Sequence, residues 1–477
     1  MNSASSPTIL VMDAAASGAK ALAFCSKSRS LSIHGTISSR ALGRRRSFSV
    51  RQRAPKPRTG GNILFLTRCS TRPGIDSDSA TNQNNPAIEM GGGSSRTAGH
   101  PETSTLPNQA LPSTISKGLV LALGSEDSWD GAELGSPVVK RFVGDDEERW
   151  YMWYHGRPNG AADAAAVDCL GLAVSSNGIH WARGTGAVRS SGDVGLVMNC
   201  RENWWAFDTN SIRPSELIMM PIPNYSSVYW LYYTGFCSEE LELESLERLD
   251  LGSKKDGKIL KSLPGLACSQ DGRHWTRIEG ENHSGALLEV GAKNEWDSSF
   301  IASPKVVFHG RDDLRMYYHS FDLKNGKFAV GLARSRDGIR WVKLGKILGG
   351  GSRGCFDELG SMNPHVVRNP KDGSYLMAYE GVDAEGVRSI GMAVSSDRLR
   401  QWDRLQDAAV LTPSEQEGWD NKGVGSPYLV HMKGLTGDDQ WRLYYKGVGD
   451  NGRTGIGMAV CEGSQVGNFK RWEGLQL

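Results

Sequence analysis

One pattern returns five times between residues 129 and 472, and few architectures accommodate it. It opens on an aromatic-Asp pair, followed six or seven residues after the Asp by a Pro that heads an apolar run. The pairs are Trp129-Asp130, Phe207-Asp208, Trp296-Asp297, Phe356-Asp357 and Trp419-Asp420, and the prolines are Pro137, Pro214, Pro304, Pro364 and Pro427. An aromatic-rich stretch comes next, at 150–156, 230–235, 315–320, 375–381 and 441–447. The cycle ends on Gly-apolar-Ala-x-Ser-x-Asp-Gly-x-x-Trp, cleanest at 333–341, repeated at 171–181 and 265–275, and looser at 391–402 and 457–472.

Pro lacks an N–H, so it costs a ladder least at the head of a strand. Asp-Gly between apolar runs marks a hairpin whose central residues accept positive φ. Each copy therefore reads as strand A, strand B, strand C, a hairpin and strand D. The aspartates at 130, 208, 297, 357 and 420 are 60 to 89 residues apart. Four antiparallel strands in each of five copies predict an all-β, five-bladed β-propeller, because stacked open sheets would leave edges unpaired. The fifth copy stops near Trp472, short of an outer strand, and an unassigned apolar stretch at 118–123 precedes the first. That N-terminal strand is expected to close the last blade.

Composition divides the chain. All 14 Trp lie at or after Trp129, which places the folded body at 117–477, since buried aromatics supply much of a core. Residues 1–75 hold 13 Lys or Arg against one acid, Asp13, so the remainder carries −10 of the total +2. A net-negative body excludes a nucleic-acid surface, and no run reaches the ~20 apolar residues of a membrane helix. Residues 1–72 are basic, rich in Ser and Ala, and lack a secretory apolar region, which reads as an organelle transit peptide. The abundant Ser and the Arg-free start favour the chloroplast stroma over the mitochondrion. Residues 73–116, polar and rich in Pro and Gly, read as a linker. Cys25 and Cys69 fall in the leader. The other six Cys are scattered without a CxxC pair, as buried thiols in a reducing compartment would be.

Strand direction places residues around the ring. A and B are antiparallel neighbours, so A-starts and B-ends share one face. The residues before the prolines are Ser136, Arg213, Ser303, Asn363 and Ser426; the B-end residues are His155, Thr234, His319, Glu380 and Lys446. These columns vary while the framework repeats, and they compose a polar funnel for a hydroxylated or anionic ligand. The motif aspartates, recurring five times, are read as turn or cap residues. Two His without a third ligand do not make a metal site, so neither metal nor other cofactor is expected. The insertion at 237–261 enlarges the B-to-C connection of blade two on the same face. Its stretch 239–251, with Leu241, Leu246 and Leu249, predicts a short helix, read as a lid, a protein-partner surface or a tolerated insertion.

The strands Met377-Ala378-Tyr379-Glu380-Gly381 and Leu443-Tyr444-Tyr445-Lys446-Gly447, with the repeated Ala-x-Ser-x-Asp-Gly-x-x-Trp, resemble the arabinanase, levansucrase and invertase group, the five-bladed glycoside hydrolases of families 43, 32, 68 and 130. The resemblance covers roughly 117–477. It implies a carbohydrate-active protein that takes a glycoside or fructoside in a central funnel. Family members commonly carry acids at or beside the residue before the strand-A Pro; here that column reads Ser, Arg, Ser, Asn, Ser, so no catalytic acid carries over. Hydrolysis needs two carboxyl groups about 5–9.5 Å apart. The candidates are Glu380, with Glu133 and Glu358 in segments near strand-A starts. Arg213, Asn363, His155, His319, Lys446, Ser136, Ser303 and Ser426 are the substrate-binding candidates. Three readings stand: a plastid glycosidase-like enzyme, a non-catalytic sugar-binding or protein-interaction propeller, and a phosphorylase-like transferase in which Arg213 and Lys446 hold the phosphate of a sugar-phosphate ligand.

Overall fold

A computed structural model describes residues 117–474 apart from 145–146, 161–166, 221–226, 242–253, 256–257, 398–399, 416–417, 434–438 and 464–465. The transit-peptide and linker assignments at 1–116 lie outside the described residues. After β1 (Leu119–Leu121) the polypeptide builds five antiparallel blades in sequence order. Blade one is β2 (Glu133–Val143), β3 (Glu148–Arg157), β4 (Cys169–Ser175) and an outer strand in two pieces, β5 (Ala182–Arg183) and β6 (Gly195–Met198). Blade two is β7 (Ser211–Met220), β8 (Val228–Leu241), β10 (Lys258–Ser269) with the short β9 (Lys254–Lys255) beside it, and β11 (Thr276–Ile278). Blade three is β12 (Ala302–Gly310), β13 (Asp313–Asp322), β14 (Lys327–Ser335) and β15 (Val342–Leu348). Blade four is β16 (Gly360–Arg368), β17 (Tyr375–Val382), β18 (Arg388–Ser395) and β19 (Asp403–Arg404). Blade five is β20 (Gly423–Met432), β21 (Gln440–Val448), β22 (Thr454–Glu462) and β23 (Lys470–Arg471). The innermost strands β2, β7, β12, β16 and β20 each touch the next, and β20 returns to β2, so the fold is a closed five-bladed β-propeller.

The aromatic-Asp pair does the same work in every blade. Each Asp is buried and accepts the hydroxyl of a strand-B Tyr: Tyr154 to Asp130, Tyr233 to Asp208, Tyr318 to Asp297, Tyr379 to Asp357 and Tyr445 to Asp420, at 2.9–3.0 Å. A cation from the outer strand completes each lock: Arg183, Arg277, Lys343, Arg404 and Arg471 in the same order. The aspartates thus tie the segment entering a blade to its second and fourth strands. The repeated Gly at the start of strand C leaves room for the paired aromatic ring; a Cβ on Gly171 would stand 2.1 Å from Trp129.

The hairpins between the third and fourth strands differ from the expected pair of positive-φ residues. In blades one to three only the Gly of the motif, Gly178, Gly272 or Gly338, has positive φ, between 73° and 78°. The residue before each Gly keeps negative φ because its side chain makes an Asx turn: Asp271 accepts the N–H groups of Arg273 and His274, and Asp337 those of Ile339 and Arg340. The turns also bind adjacent blades. Trp153 donates to the Gly272 carbonyl, Tyr232 to that of Gly338 and Tyr444 to that of Gly178.

The last of these crosses from blade five to blade one, where β1 completes closure. β23 opens the outer strand of blade five against Ala459 and Val460, and β1 continues it against Ile456 and Gly457. In the insertion, residues 239–241 are strand, not the start of a helix. The ladder of β8 and β10 runs past a bulge to pair Leu241 with Ile259, whose side chain packs with Phe300. Residues 242–253 of the insertion lie outside the described residues. Among the described residues none of the six Cys forms a disulfide, and no helix is long and apolar enough to cross a membrane.

Candidate functional site

Each inner strand enters the hub through a bulge. In blades one, three, four and five the bulge holds the residue before Pro in the left-handed region: Ser136, Ser303, Asn363 and Ser426 have φ of 47–52°. Non-Gly residues reach this region at a cost and persist there when their surroundings impose it. In blade two the Pro comes one residue earlier and takes the second position of a bulge of the same length, four residues opposite three. The pairing with strand B shows the consequence: Arg213 lies opposite Thr234, as Gly135, Ala302, Met362 and Gly425 lie opposite His155, His319, Glu380 and Lys446. Arg213 therefore belongs one position earlier than the Ser/Asn column in which the repeat spacing put it. A long cation stands where its counterparts are mostly small.

The B-end side chains fasten one blade to the next. Thr234 Oγ1 accepts the N–H of Ser303 at 2.9 Å, His319 Nδ1 that of Asn363 at 3.2 Å and Glu380 Oε2 that of Ser426 at 2.8 Å. Lys446 has no lone pair to offer. It reaches Glu133 Oε1 on blade one at 2.5 Å, and Glu133 also pairs with Arg157 at 2.7 Å. Arg157 continues to Asp168, which in turn holds Arg213. Burial alone would raise the Glu133 carboxyl, but Lys446, His155 and Arg213 outweigh it and hold it well below the usual range.

Inside this ring lies a cavity of about 90 Å³. All eight substrate-binding candidates line it, namely Ser136, His155, Arg213, Ser303, His319, Asn363, Ser426 and Lys446, together with Glu380, Arg388 and the apolar Phe236, Phe300 and Met362. Of the three carboxylate candidates only Glu380 is in the wall. Glu133 sits behind Lys446, and Glu358 is spent within its own turn, accepting the Gly354 N–H at 2.7 Å. Glu380 Oε2 is engaged by Asn363 Nδ2 and Ser426 N–H, both at 2.8 Å, and Oε1 faces Arg388 Nη1 at 3.3 Å. Asn363 is steadied in turn by the Ser303 hydroxyl at 2.5 Å.

Four buried polar atoms around the cavity lack a hydrogen-bond partner within the protein: Glu380 Oε1, Arg388 Nη2 and both ring nitrogens of His155. Burial, with help from Arg213, lowers His155 to about 4, and burial lowers His319 to about 3 with help from Arg388. Both imidazoles are neutral at ordinary pH. Each lining cation is matched by a carboxylate: Arg213 by Asp168, Lys446 by Glu133 and Arg388 by Glu380.

Deeper along the axis, a polar cluster that the sequence reading did not identify fills the channel. Glu216 of blade two meets Tyr428 Oη of blade five at 2.8 Å, Lys140 at 2.8 Å and His365 Nε2 of blade four at 3.5 Å. Lys305 of blade three donates to the Ser215 carbonyl, and its Nζ stands 5.0 Å from the Tyr428 ring centroid. Burial lowers Lys305 to about 8 and His365 to about 4, with Glu216 opposing both shifts. Among the described residues no cluster of His, Cys, Asp and Glu is arranged to hold a metal ion.

No family model matches the sequence, and no curated protein matches it. Solved structures are similar in fold. One, a complex of BT0996 named with RGII, is 17% identical with a TM-score of 0.52, over 75% of this protein and 94% of that one. Another, named simply as a glycoside hydrolase, is 16% identical with a TM-score of 0.51, over 75% and 96%. At such identity the likeness is one of fold.

Proposed function

We propose that the protein is a carbohydrate-binding propeller whose hub cavity takes one sugar unit of a glycoside or fructoside. The carrying observation is the set of buried atoms of Glu380, Arg388 and His155 around one cavity that make no hydrogen bond within the protein. Burying a polar group without a partner is expensive, and a sugar hydroxyl, which both donates and accepts, satisfies a carboxylate oxygen, a guanidinium N–H or a neutral imidazole alike. The apolar Phe236, Phe300 and Met362 suit the C–H face of a ring. That one of the similar folds is a glycoside hydrolase agrees with this reading. The basic leader motivates placing it in the plastid stroma.

Binding is favoured over hydrolysis because, among the described residues, a single carboxylate, Glu380, lines the cavity where two are required. A sugar phosphate is disfavoured because each lining cation already has its carboxylate. Isothermal titration with neutral mono- and oligosaccharides, sugar phosphates and uronates tests the reading on wild type and Glu380→Gln, a variant that still accepts the Ser426 N–H. The expected result is saturable binding of neutral sugars that Glu380→Gln weakens at least tenfold. Indifference of every titration to Glu380→Gln would overturn it. Release of sugar from aryl-glycosides or fructans by wild type, lost in Glu380→Gln, would replace binding with catalysis.

A further inference from the structure

Trp204 is 90% exposed, the most exposed of the large apolar side chains among the described residues. It sits in the turn that leads into blade two, and the five-fold repeat shows that this turn does not need it. The same turn is built in blades one to four by the N–H of the residue before the motif aromatic, donated to the carbonyl three residues back: Ala206 to the Asn203 carbonyl, Ser128 to Ser125, Glu295 to Ala292 and Cys355 to Ser352. A second bond closes its base in each: Arg201 N–H to the Asp208 carbonyl, Gly124 to Asp130, Gly291 to Asp297 and Gly351 to Asp357. At the position of Trp204 the other copies carry Glu126, Lys293, Arg353 and Gln416; at the position of Trp205 they carry Asp127, Asn294, Gly354 and Glu417. A charged or polar residue is what this site ordinarily holds, so an indole there is an addition to the frame.

The turn lies on the face that opens to the hub cavity. Phe207 packs against Gly235, which directly follows the cavity residue Thr234, and its ring stacks on Tyr233 at 5.8 Å. It also lies over the outer half of the blade: the Asn199 carbonyl accepts Arg277 of β11, and Arg201 pairs with Glu279 just beyond it at 2.8 Å. Inner and outer strands of a blade are two to three spacings apart, so the indole stands roughly 10–15 Å from the inner strand. Beside it, Trp205 meets the His283 ring edge-on at 6.3 Å. The surroundings are otherwise polar, with Arg201, Glu202, Asn203 and Glu279. A protein partner would need an apolar core of several hundred Å²; one indole in a polar frame matches a ligand that is itself amphipathic, with a C–H face and a hydroxylated edge.

Resting on the hub reading, we propose that Trp204 is an outer subsite that stacks on a sugar unit of a saccharide whose end unit occupies the cavity. The ligand class is thereby an oligosaccharide or polysaccharide end, not a free monosaccharide. Covering about 55 Å² of apolar indole surface is worth about tenfold in affinity.

The test uses the full-length protein, titrated with arabinose, mannose, galactose and fructose and with linear trisaccharides of each. Wild type is expected to bind its preferred trisaccharide about tenfold more tightly than the monosaccharide. Trp204→Ala is expected to erase that gain and leave monosaccharide affinity unchanged, while Trp204→Phe retains part of it; Glu380→Gln weakens both ligands. Monosaccharide binding without a length-dependent gain, or a gain indifferent to Trp204→Ala, overturns the outer subsite and leaves the hub reading standing. Failure of every sugar to bind wild type overturns both. A dimer in sedimentation that Trp204→Ala dissolves makes the indole an interface between copies and also overturns the proposal.

Discussion

Deleting residues 117–123 from the full-length protein removes the segment that seals the ring, and its worth can be worked from the contacts. Leu121 is 5% exposed, and its burial is worth about 2 kcal/mol. The Gly118 N–H donates to the Trp472 carbonyl and the Gly118 carbonyl accepts the Met458 N–H, each contributing about 1 kcal/mol net. Arg183 of blade one donates to the carbonyls of Ala122 and Leu123 at 2.6 and 2.7 Å, and such charge-assisted bonds contribute about 1.5–3 kcal/mol each. The loss is on the order of 6 kcal/mol or more, against about 5–15 kcal/mol for a whole domain. The deletion also leaves the β22 edge open beyond Ala459, a template for association. Differential scanning fluorimetry is expected to show the melting temperature falling by roughly 10 °C, with aggregation at lower temperature than wild type. Leu121→Ala should give about a third of the shift. A melt within about 3 °C of wild type for the deletion would mean that β23 alone closes blade five, and would refute the reasoning.

Three further outcomes are expected. Acid should destabilise the ring in the window from about pH 6.5 down to 4, because His155, His319 and His365 are held neutral by burial, at about 4, 3 and 4. The unfolded state binds their protons first, so stability falls with pH, by up to about 2 kcal/mol per histidine between pH 7.5 and 5; equal urea midpoints at those two pH values would contradict this. Tyr445→Phe should cost about 1 kcal/mol, since Asp420 keeps Arg471, whereas Asp420→Ala should cost about 3 kcal/mol or more by stranding Arg471 and Tyr445, as urea melts would resolve. Gly425→Ala should abolish sugar binding in titration, because its Cβ would lie 2.1 Å from Glu380 Oε2 and displace the carboxylate from Asn363 and Ser426.

The blades were legible in the sequence because a propeller repeats its needs. The Asp that ties three strands, the Gly that admits the aromatic and the Ser that caps the hairpin each recur, so their spacing carries the topology. The cavity wall was legible for a related reason: antiparallel order fixes which strand ends share a face, whatever residues occupy them. Arg388 was missed because it begins a third strand, opposite Val382, and enters the wall only through the length of its side chain. Asp168 and Arg157 act from behind the wall. Glu358 was misjudged because closeness to a strand start says nothing about which way a turn folds its own carboxylate. The axial cluster was hidden by one residue: Pro214 stands one position earlier in its bulge than the other prolines, so Glu216, not Ser215, falls into line with Val138, Lys305, His365 and Tyr428.

That displaced proline also bears on what the hub can bind. Where the second bulge residue is a Ser or Asn and the B-end side chain of the preceding blade can accept, that side chain is consumed in capping its N–H, as Thr234, His319 and Glu380 show. After His155 that position is Pro214, which has no N–H, so no cap forms; the imidazole makes no hydrogen bond within the protein, its Nε2 3.6 Å from Glu133 Oε1, and Arg213 turns to Asp168. At the seam into blade one the B-end residue is Lys446, which cannot cap and takes Glu133 instead. The two departures are consecutive around the ring, at the blade five–one and one–two junctions. Blades two to five are thus joined by these caps, and blade one is joined to its neighbours by ion pairs instead, Lys446 with Glu133 and Arg213 with Asp168. Glu380 belongs to the capped side and His155 to the other, so a ligand that engages both joins the two halves of the ring. Binding should accordingly slow amide exchange most in β2 and β3, the strands of the blade that the capping bonds leave out, and exchange slowed equally in all five blades would count against this asymmetry.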